Sequence, residues 1–218
     1  MEVFVYIVVF IFSVIIHEVS HGYIAHLRGD DTAKNLGRIT LNPLVHLELF
    51  GSIVLPSMLL LMKAPILFGW AKPVPVNYAN LKNPKLDAVI VSFAGPASNI
   101  LLAVFSGIGI RFISHFTTSP NGFGGSIGIF LYVMLNVNLI LIVINLIPIP
   151  PLDGSKIVAY FLPKNISRNY LNLNPFVCLI ILFIVLSSGL VWSFLYPMIN
   201  FFITHLSGII FKISETIL

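Results

Sequence analysis

The sequence predicts an all-α polytopic membrane protein with about five to six transmembrane helices and a re-entrant or interfacial segment. Of its 218 residues, 57% are hydrophobic and only 9% are charged, whereas a soluble domain carries roughly a quarter charged residues. Long windows contain no charge at all. The polar surface is therefore too small for a water-soluble particle, and lipid must surround much of the chain.

Four uncharged apolar windows predict the main helices, at residues 4–16, 88–110, 126–152 and 169–211. The first helix can continue to His26, and it is expected to be permanent, because neither a basic region nor a cleavage site marks a signal peptide. The last window would be about twice as long as a ~30 Å bilayer core if it formed one helix. It predicts two helices, with breaks at Ser187-Ser188-Gly189 and at Pro197.

A fifth apolar segment, residues 49–62, is short for a span and is more typical of a re-entrant or interfacial element. If it does not cross, the basic residues on either side of it and those after the 126–152 helix share one face of the membrane, as the positive-inside rule prefers. The pattern favours five crossings, with the N-terminus outside and the C-terminus inside. The net charge of +4 is spread over loops, so no nucleic-acid partner is expected.

The first helix ends in an H-E-x-x-H pattern, His17-Glu18-Val19-Ser20-His21. Residues i and i+4 share a helix face, so both imidazoles can bind one metal ion while Glu18 serves as a base beside it. In a soluble helix such a match is often accidental. Behind an apolar stretch in a bilayer, however, these side chains are costly unless they pair or bind something. The pattern therefore predicts metal binding.

A catalytic zinc site takes three protein ligands and keeps one open position, so a third ligand is required. The candidates are His26, His46, Asp87, His115, Asp153 and His205. Asp153 follows a proline-rich stretch, residues 145–152, that ends a helix and frees polar groups to face a cavity. The same spacing fits an N-capping Asp for a helix starting near Ser155. The residues alone leave this choice open, although His26 and His115 fit interfacial positions better than ligand positions.

Together these motifs resemble the site-2 protease family of intramembrane zinc metalloproteases. The similarity covers residues 15 to 158 and includes three further motifs, at residues 37–46, 68–77 and 95–99. A short form without PDZ or CBS domains is expected. The resemblance implies zinc ligands at His17, His21 and Asp153, a catalytic carboxylate at Glu18 and a polar helper at Asn145.

The resemblance also implies a place for the substrate, because a membrane helix must unwind before it can be cut. Two stretches, Arg38–Asn42 and Pro73–Val76, fit a strand or a surface loop equally well. The resemblance favours the strand, so short membrane-associated β strands are expected to receive the unwound substrate. Four residues of the matched motifs are expected to bind it: Asn42, His46, Asn77 and Asn99. Asn99 fits helix packing equally well, and Gly95-Pro96 permits close approach to the first helix.

The sequence thus predicts a single domain, with a catalytic membrane core at 1–160 and C-terminal helices at 161–218. The expected function is zinc-dependent cleavage of membrane-anchored proteins in or near their spans, in a cell membrane, with the active site open to the cytoplasm. A metal-ion transporter is the alternative, because intramembrane His and Asp also mark ion pathways. A catalytically silent binder of membrane helices is a third reading, which the intact Glu18 opposes.

Overall fold

The computed structural model describes residues 2–48, 51, 54, 57, 58, 61, 62, 72–116, 123–202, 204 and 205. The regular secondary structure in these ranges is helical and includes a short 3-10 turn at Tyr78–Asn80. The α-helices in chain order are α1 (Glu2–Leu27), α2 (Thr32–Asn35), α3 (Pro43–His46), α4 (Pro84–Phe116), α5 (Phe123–Leu146), α6 (Asp153–Phe161), α7 (Lys164–Leu171), α8 (Pro175–Ser187) and α9 (Leu190–Phe202).

The expected β strands are wrong, since the described part of the chain contains no strand. Residues 38–42 form an irregular loop before α3, and residues 73–76 are irregular as well. Pro73 and Pro75 have no N–H to donate to a neighbouring strand. The N–H of Val74, which lies between them, donates instead to a side chain, the Glu18 carboxylate. Side-chain partners therefore replace the strand pairing that the alternation suggested.

The number of spans predicted from the sequence is also too high for the described residues. Three helices there are long and apolar enough to cross a membrane, namely Val3–Leu27, Pro84–Ile113 and Gly125–Leu146. A fourth span is possible if the bent pair α7 and α8, which meet at 82°, counts as one. Most of the 49–62 segment lies outside the described residues.

The last apolar window, residues 169–211, explains why there are fewer candidate spans than predicted. It forms two helices of 13 residues, α8 and α9, each about 20 Å long at 1.5 Å per residue and short for a ~30 Å core. The predicted break at Ser187–Gly189 is confirmed, and Gly189 adopts a φ of +76° there. Pro197 lies inside α9 and does not end it.

The chain divides into two compact units, a larger one of Met1–Ser13 with Pro96–Leu218 and a smaller one of Val14–Gly95. The core of the larger unit is made by α4, α5 and α9, with Leu135, Leu139 and Leu195 at most 1% exposed. The domain boundary predicted near residue 160 stays a prediction.

A buried polar chain also holds the larger unit together. The Asn99 side-chain amide donates to the Asn138 Oδ1 at 2.7 Å, and the Asn138 amide donates to the Ser13 Oγ at 3.0 Å. All three side chains are fully buried. Such hydrogen bonds join helices where lipid provides no competing partner. Asn99 is thus engaged in helix packing, the alternative that its sequence context had left open.

In the smaller unit, the chain after α1 is fixed to residues 77–80 by a buried carboxylate. Asp30, at 0% exposure, accepts from the Asn77 N–H at 2.7 Å and from the Asn80 side-chain amide at 2.9 Å. Burial raises the pKa of Asp30, but these bonds and those from Thr32 outweigh it and leave the pKa below its ordinary value. Asp30 is therefore ionised at neutral pH and holds the segment that precedes α4.

Candidate metal centre

The two histidines of the H-E-x-x-H pattern converge on one point. Because α1 is continuous through residue 27, His17 and His21 lie one turn apart on the same face. They are 5% and 8% exposed, and their Nε2 atoms are 3.1 Å apart. Two nitrogens bound tetrahedrally to zinc at its usual bond length lie about 3.3 Å apart. The pair therefore fits two ligands of a single metal ion.

A main-chain carbonyl sets the tautomer of His21. Its Nδ1 lies 2.7 Å from the carbonyl oxygen of Val91 in α4. A carbonyl only accepts, so Nδ1 carries the proton and Nε2 presents its lone pair toward His17. A metal-ligating histidine usually donates its other ring N–H to an acceptor in this way. The local geometry thus prepares His21 for a metal ion.

Gly95 of α4 lies directly against both imidazoles. A Cβ atom placed there would be 2.5 Å from the Nε2 of His17 and 2.5 Å from the Nε2 of His21. Any side chain at residue 95 would therefore push both ligand atoms out of place. The close approach expected from the Gly95-Pro96 motif is confirmed, and its reason is now specific: the glycine leaves room for the ligands.

Gly95→Ala is expected to lower the zinc affinity by at least about 10- to 100-fold, the range seen when groups that orient metal ligands are lost. The measurement is the zinc content of the purified variant during titration with a chelator. Gly128→Ala is the matched control, because Gly128 also lies in a membrane helix and has no atom within 4 Å of the added Cβ. Equal zinc affinity in the two variants would contradict the steric argument.

Glu18 is held by the main chain of a distant segment. Its Oε2 accepts a hydrogen bond of 2.8 Å from the N–H of Val74. A carboxylate has two oxygens and about four acceptor positions, so this bond leaves capacity for a proton-transfer role. Glu18 is the residue after His17, so on a helix it does not share the face that carries His17 and His21.

Asp153 belongs to the larger unit and is the first residue of α6. The N-cap of α6 is Leu152 without a side-chain bond, so the capping role that the sequence had left open for Asp153 is wrong. The Asp153 side chain is buried, and its Oδ1 lies 3.2 Å from the Lys156 ammonium. A Cβ on Gly154 would be 2.2 Å from the Leu146 carbonyl oxygen. Only glycine therefore allows the start of α6 to lie against the end of α5.

His17 and His21 come together within the smaller unit, and Asp153, the third ligand that the resemblance implies, belongs to the larger unit. Most other ligand candidates from the sequence have different partners. His46 is buried with its Nε2 2.8 Å from the Thr40 carbonyl oxygen. Asp87 pairs with Arg28 and accepts from the Asn83 N–H. His26 contacts Asp31, and His205 stacks on Phe201, while the side chain of His115 is outside the described part.

Asn42 and Asn77, which are expected to bind substrate, and Asn145, the expected polar helper, have local hydrogen-bond partners. Asn42 and Asn77 cap short helical turns by accepting from the N–H groups of Leu44 and Ala79. The Asn145 amide donates to the Leu141 carbonyl of its own helix at 2.9 Å. Asn42 and Asn77 thus shape the chain around the site, and their substrate role stays a prediction, as do those of His46, Asn99 and Asn145.

Sequence reasoning missed three contacts that shape the site. Two are main-chain groups, the Val91 carbonyl and the Val74 N–H, which no residue type reveals. The third is Tyr170 in α7, whose hydroxyl donates to the Pro148 carbonyl at 2.6 Å, in the stretch that leads to Asp153. A tyrosine after a proline-rich loop is too common a pattern to have predicted this bond.

Comparison with known proteins gives two kinds of similarity. A model of peptidase family M50 matches residues 121–188. YwhC of Bacillus subtilis is 38% identical over 199 residues, which cover 89% of this chain and 85% of that protein. Rip2 of Mycolicibacterium smegmatis is 29% identical over 142 residues, 65% of this chain and about half of Rip2, at 51%. Both are named as putative zinc metalloproteases. No solved structure matches the chain.

Proposed function

The chain belongs to peptidase family M50, and from this premise we propose a site-2-type protease in which His17, His21 and Asp153 bind zinc and Glu18 is the base. It is an intramembrane zinc protease, and its apolar helices make it a multi-pass membrane protein. Its substrates are membrane-anchored proteins, which it cuts within or near their spans. The family assignment does not favour the metal-ion transporter considered from the sequence.

The observation that carries this proposal is the convergence of the His17 and His21 Nε2 atoms at 3.1 Å, with Val91 fixing the His21 tautomer. Two neutral imidazoles and one carboxylate are a ligand set that catalytic zinc sites use, and it leaves a fourth position open. Lys156 is the charged partner of Asp153, with its ammonium 3.2 Å from the Asp153 Oδ1.

When bound, zinc supplies a Lewis acid that polarises the scissile carbonyl and acidifies water. Glu18 takes a proton from the attacking water and returns it to the leaving amine, since its carboxylate can act first as base and then as acid. The Val74 N–H occupies one carboxylate oxygen, so proton transfer uses the other. The Asn145 amide has a second hydrogen beyond the one donated to Leu141, and it can turn to the substrate carbonyl.

The proposal is tested by cleavage of a membrane-anchored substrate. Purified in detergent, the protein is expected to contain one zinc per chain and to cut a helical membrane substrate at a bond that mass spectrometry places in or near the span. A chelator is expected to stop the reaction, and added zinc to restore it. Cleavage only of soluble peptides, with membrane substrates intact, would count against the intramembrane assignment.

The active site is proposed to open to the cytoplasm of a cell membrane. Lys and Arg concentrate between α1 and the start of α4 and again after α5, whereas residues 112–125, from the end of α4 to the start of α5, contain neither. This asymmetry follows the positive-inside rule. In a Cys178→Ser background, single cysteines at Asn80 and Asn165 are expected to react with a membrane-impermeant label only from the cytoplasmic side, and one at Asn121 only from outside. Labelling of Asn80 from outside would reverse the assignment.

A further inference from the structure

A short proline-containing stretch, Lys72–Asn77, is held by hydrogen bonds to the main chain of most of its residues. The Lys72 N–H donates to the His46 carbonyl at 2.8 Å. Arg38 Nη2 donates to the carbonyls of Lys72 and Pro73, at 2.9 and 3.3 Å. At the other end, the Asn77 N–H donates to Asp30 at 2.7 Å. We refer to these residues as the proline segment.

In the middle of the proline segment, Val74 contacts α1 with both its main chain and its side chain. Its N–H donates to the Oε2 of Glu18 at 2.8 Å. Its side chain lies on Gly22, where an added Cβ would be 2.7 Å from Val74 Cγ1. Glu18 and Gly22 are one turn apart on the same helix face. Val74 is therefore fixed at two points on the face that carries the proposed base, and it is only 7% exposed.

The segment is also built to resist movement. Pro73 and Pro75 on either side of Val74 have restricted φ angles. The anchors at its two ends are a buried arginine, Arg38 at 6% exposure, and a fully buried carboxylate, Asp30. The position of the Val74 N–H is thus determined by the surrounding structure and not by Glu18 itself.

A glutamate base has three rotatable side-chain bonds, and proton transfer needs its carboxylate within hydrogen-bond reach of the reacting water. A fixed N–H donor that holds one oxygen removes most of this freedom and leaves the second oxygen to exchange protons. Hydrogen bonds to an ionised group are also roughly twice as strong as neutral ones. The Val74 contact supplies such a donor.

We propose that the main-chain amide of Val74 is a positioning group for Glu18, and that the proline segment, held by Arg38 and Asp30, exists to present it. This inference rests on the proposed role of Glu18 as the base. The segment acts through Glu18.

The direct test replaces the Val74 amide by an ester, using the α-hydroxy analogue of valine, which removes the N–H and keeps the side chain. The expected result is a fall in kcat of about 10- to 100-fold, the loss that one hydrogen bond to a charged group represents. KM and zinc content are expected to stay unchanged. The same replacement at Val76, two residues along the segment, is the matched control and is expected to leave kcat within about twofold. Unchanged kcat in the Val74 ester would overturn the proposal.

A second test uses ordinary substitutions. Gly22→Ala places a methyl group 2.7 Å from Val74 Cγ1 and is expected to displace the Val74 amide, so that kcat falls while zinc stays bound. The double variant Gly22→Ala with Val74→Ala removes the 2.7 Å contact and keeps the N–H, while the Ala33 Cβ stays 3.2 Å from the added methyl in both variants. The double variant is expected to recover most of kcat. Equal activities of the single and double variants would contradict a positioning role, because removing the contact between residue 22 and the Val74 side chain should return the Val74 amide to its place.

The failure of this inference can be distinguished from failure of the proposed function. If Glu18→Gln is inactive and the Val74 ester is fully active, the base assignment stands and only the positioning role is lost. If Glu18→Gln keeps full activity, Glu18 is not the base and both proposals fail.

Discussion

Glu18→Gln is expected to abolish proteolysis, with kcat reduced by about 100-fold or more, while the variant still contains one zinc per chain. General-base catalysis contributes roughly 10²–10⁴-fold, and a glutamine amide cannot take a proton at neutral pH. The amide oxygen of Gln can still accept from the Val74 N–H, so the bond that Glu18 makes at 2.8 Å has a substitute. The measurements are cleavage rate and zinc content of the same preparation.

Glu48→Gln is the matched control for this change. Glu48 is also a glutamate that accepts a main-chain N–H, that of Gly51, at 2.8 Å. Glu48 lies outside the H-E-x-x-H pattern. The Glu48→Gln variant is therefore expected to keep the cleavage rate within about twofold. Loss of zinc from the Glu18→Gln variant would indicate that Glu18 is a zinc ligand, and it would favour the metal-ion transporter hypothesis.

Asp153→Asn is expected to weaken zinc binding by about 100-fold or more and to remove activity with it. Changes in groups that only support metal ligands already cost 10- to 100-fold in affinity, and two imidazoles alone make an incomplete site. Asparagine keeps the size of the side chain and an oxygen that can accept from Lys156, the residue 3.2 Å from Asp153. The folded state is therefore retained, and zinc affinity is read by titration with a competing chelator.

Asp87→Asn is the control that separates a ligand from a buried carboxylate in general. The Asp87 side chain is 2% exposed and pairs with Arg28 at 3.6 Å, so its loss affects stability but is expected to leave zinc bound. His46→Ala tests the remaining candidate ligand. Full zinc content in Asp153→Asn together with loss of zinc in His46→Ala would show that the third ligand was assigned wrongly.

The two misjudged features of the fold, the β strands and the number of spans, have different causes. Alternation at residues 73–76 suggested a strand, but the hydrogen-bond partners of this segment are side chains far away in the chain, such as Glu18, 56 residues earlier. The last apolar window has the composition of two spans and breaks at Gly189 as predicted, but each of its two helices has only 13 residues. Apolar composition indicates that a segment is surrounded by lipid or by the protein core, but it does not determine the length of each helix.

The sequence by itself determined that lipid surrounds much of the chain and that His17 and His21 can bind one metal ion. Composition requires lipid, because 9% charged residues cannot cover a soluble particle. The spacing of His17 and His21 along one helix requires a shared face, because the interval of four residues is local geometry. Only the tertiary structure decided that Val91 orients His21, that Gly95 gives the two imidazoles room and that Val74 holds Glu18. The Val91 and Val74 groups are main-chain atoms, 70 and 56 residues from the side chains that they bind, and residue type carries no signal for such contacts. The Gly95-Pro96 motif predicted a close approach to the first helix but not that the two imidazoles occupy the space.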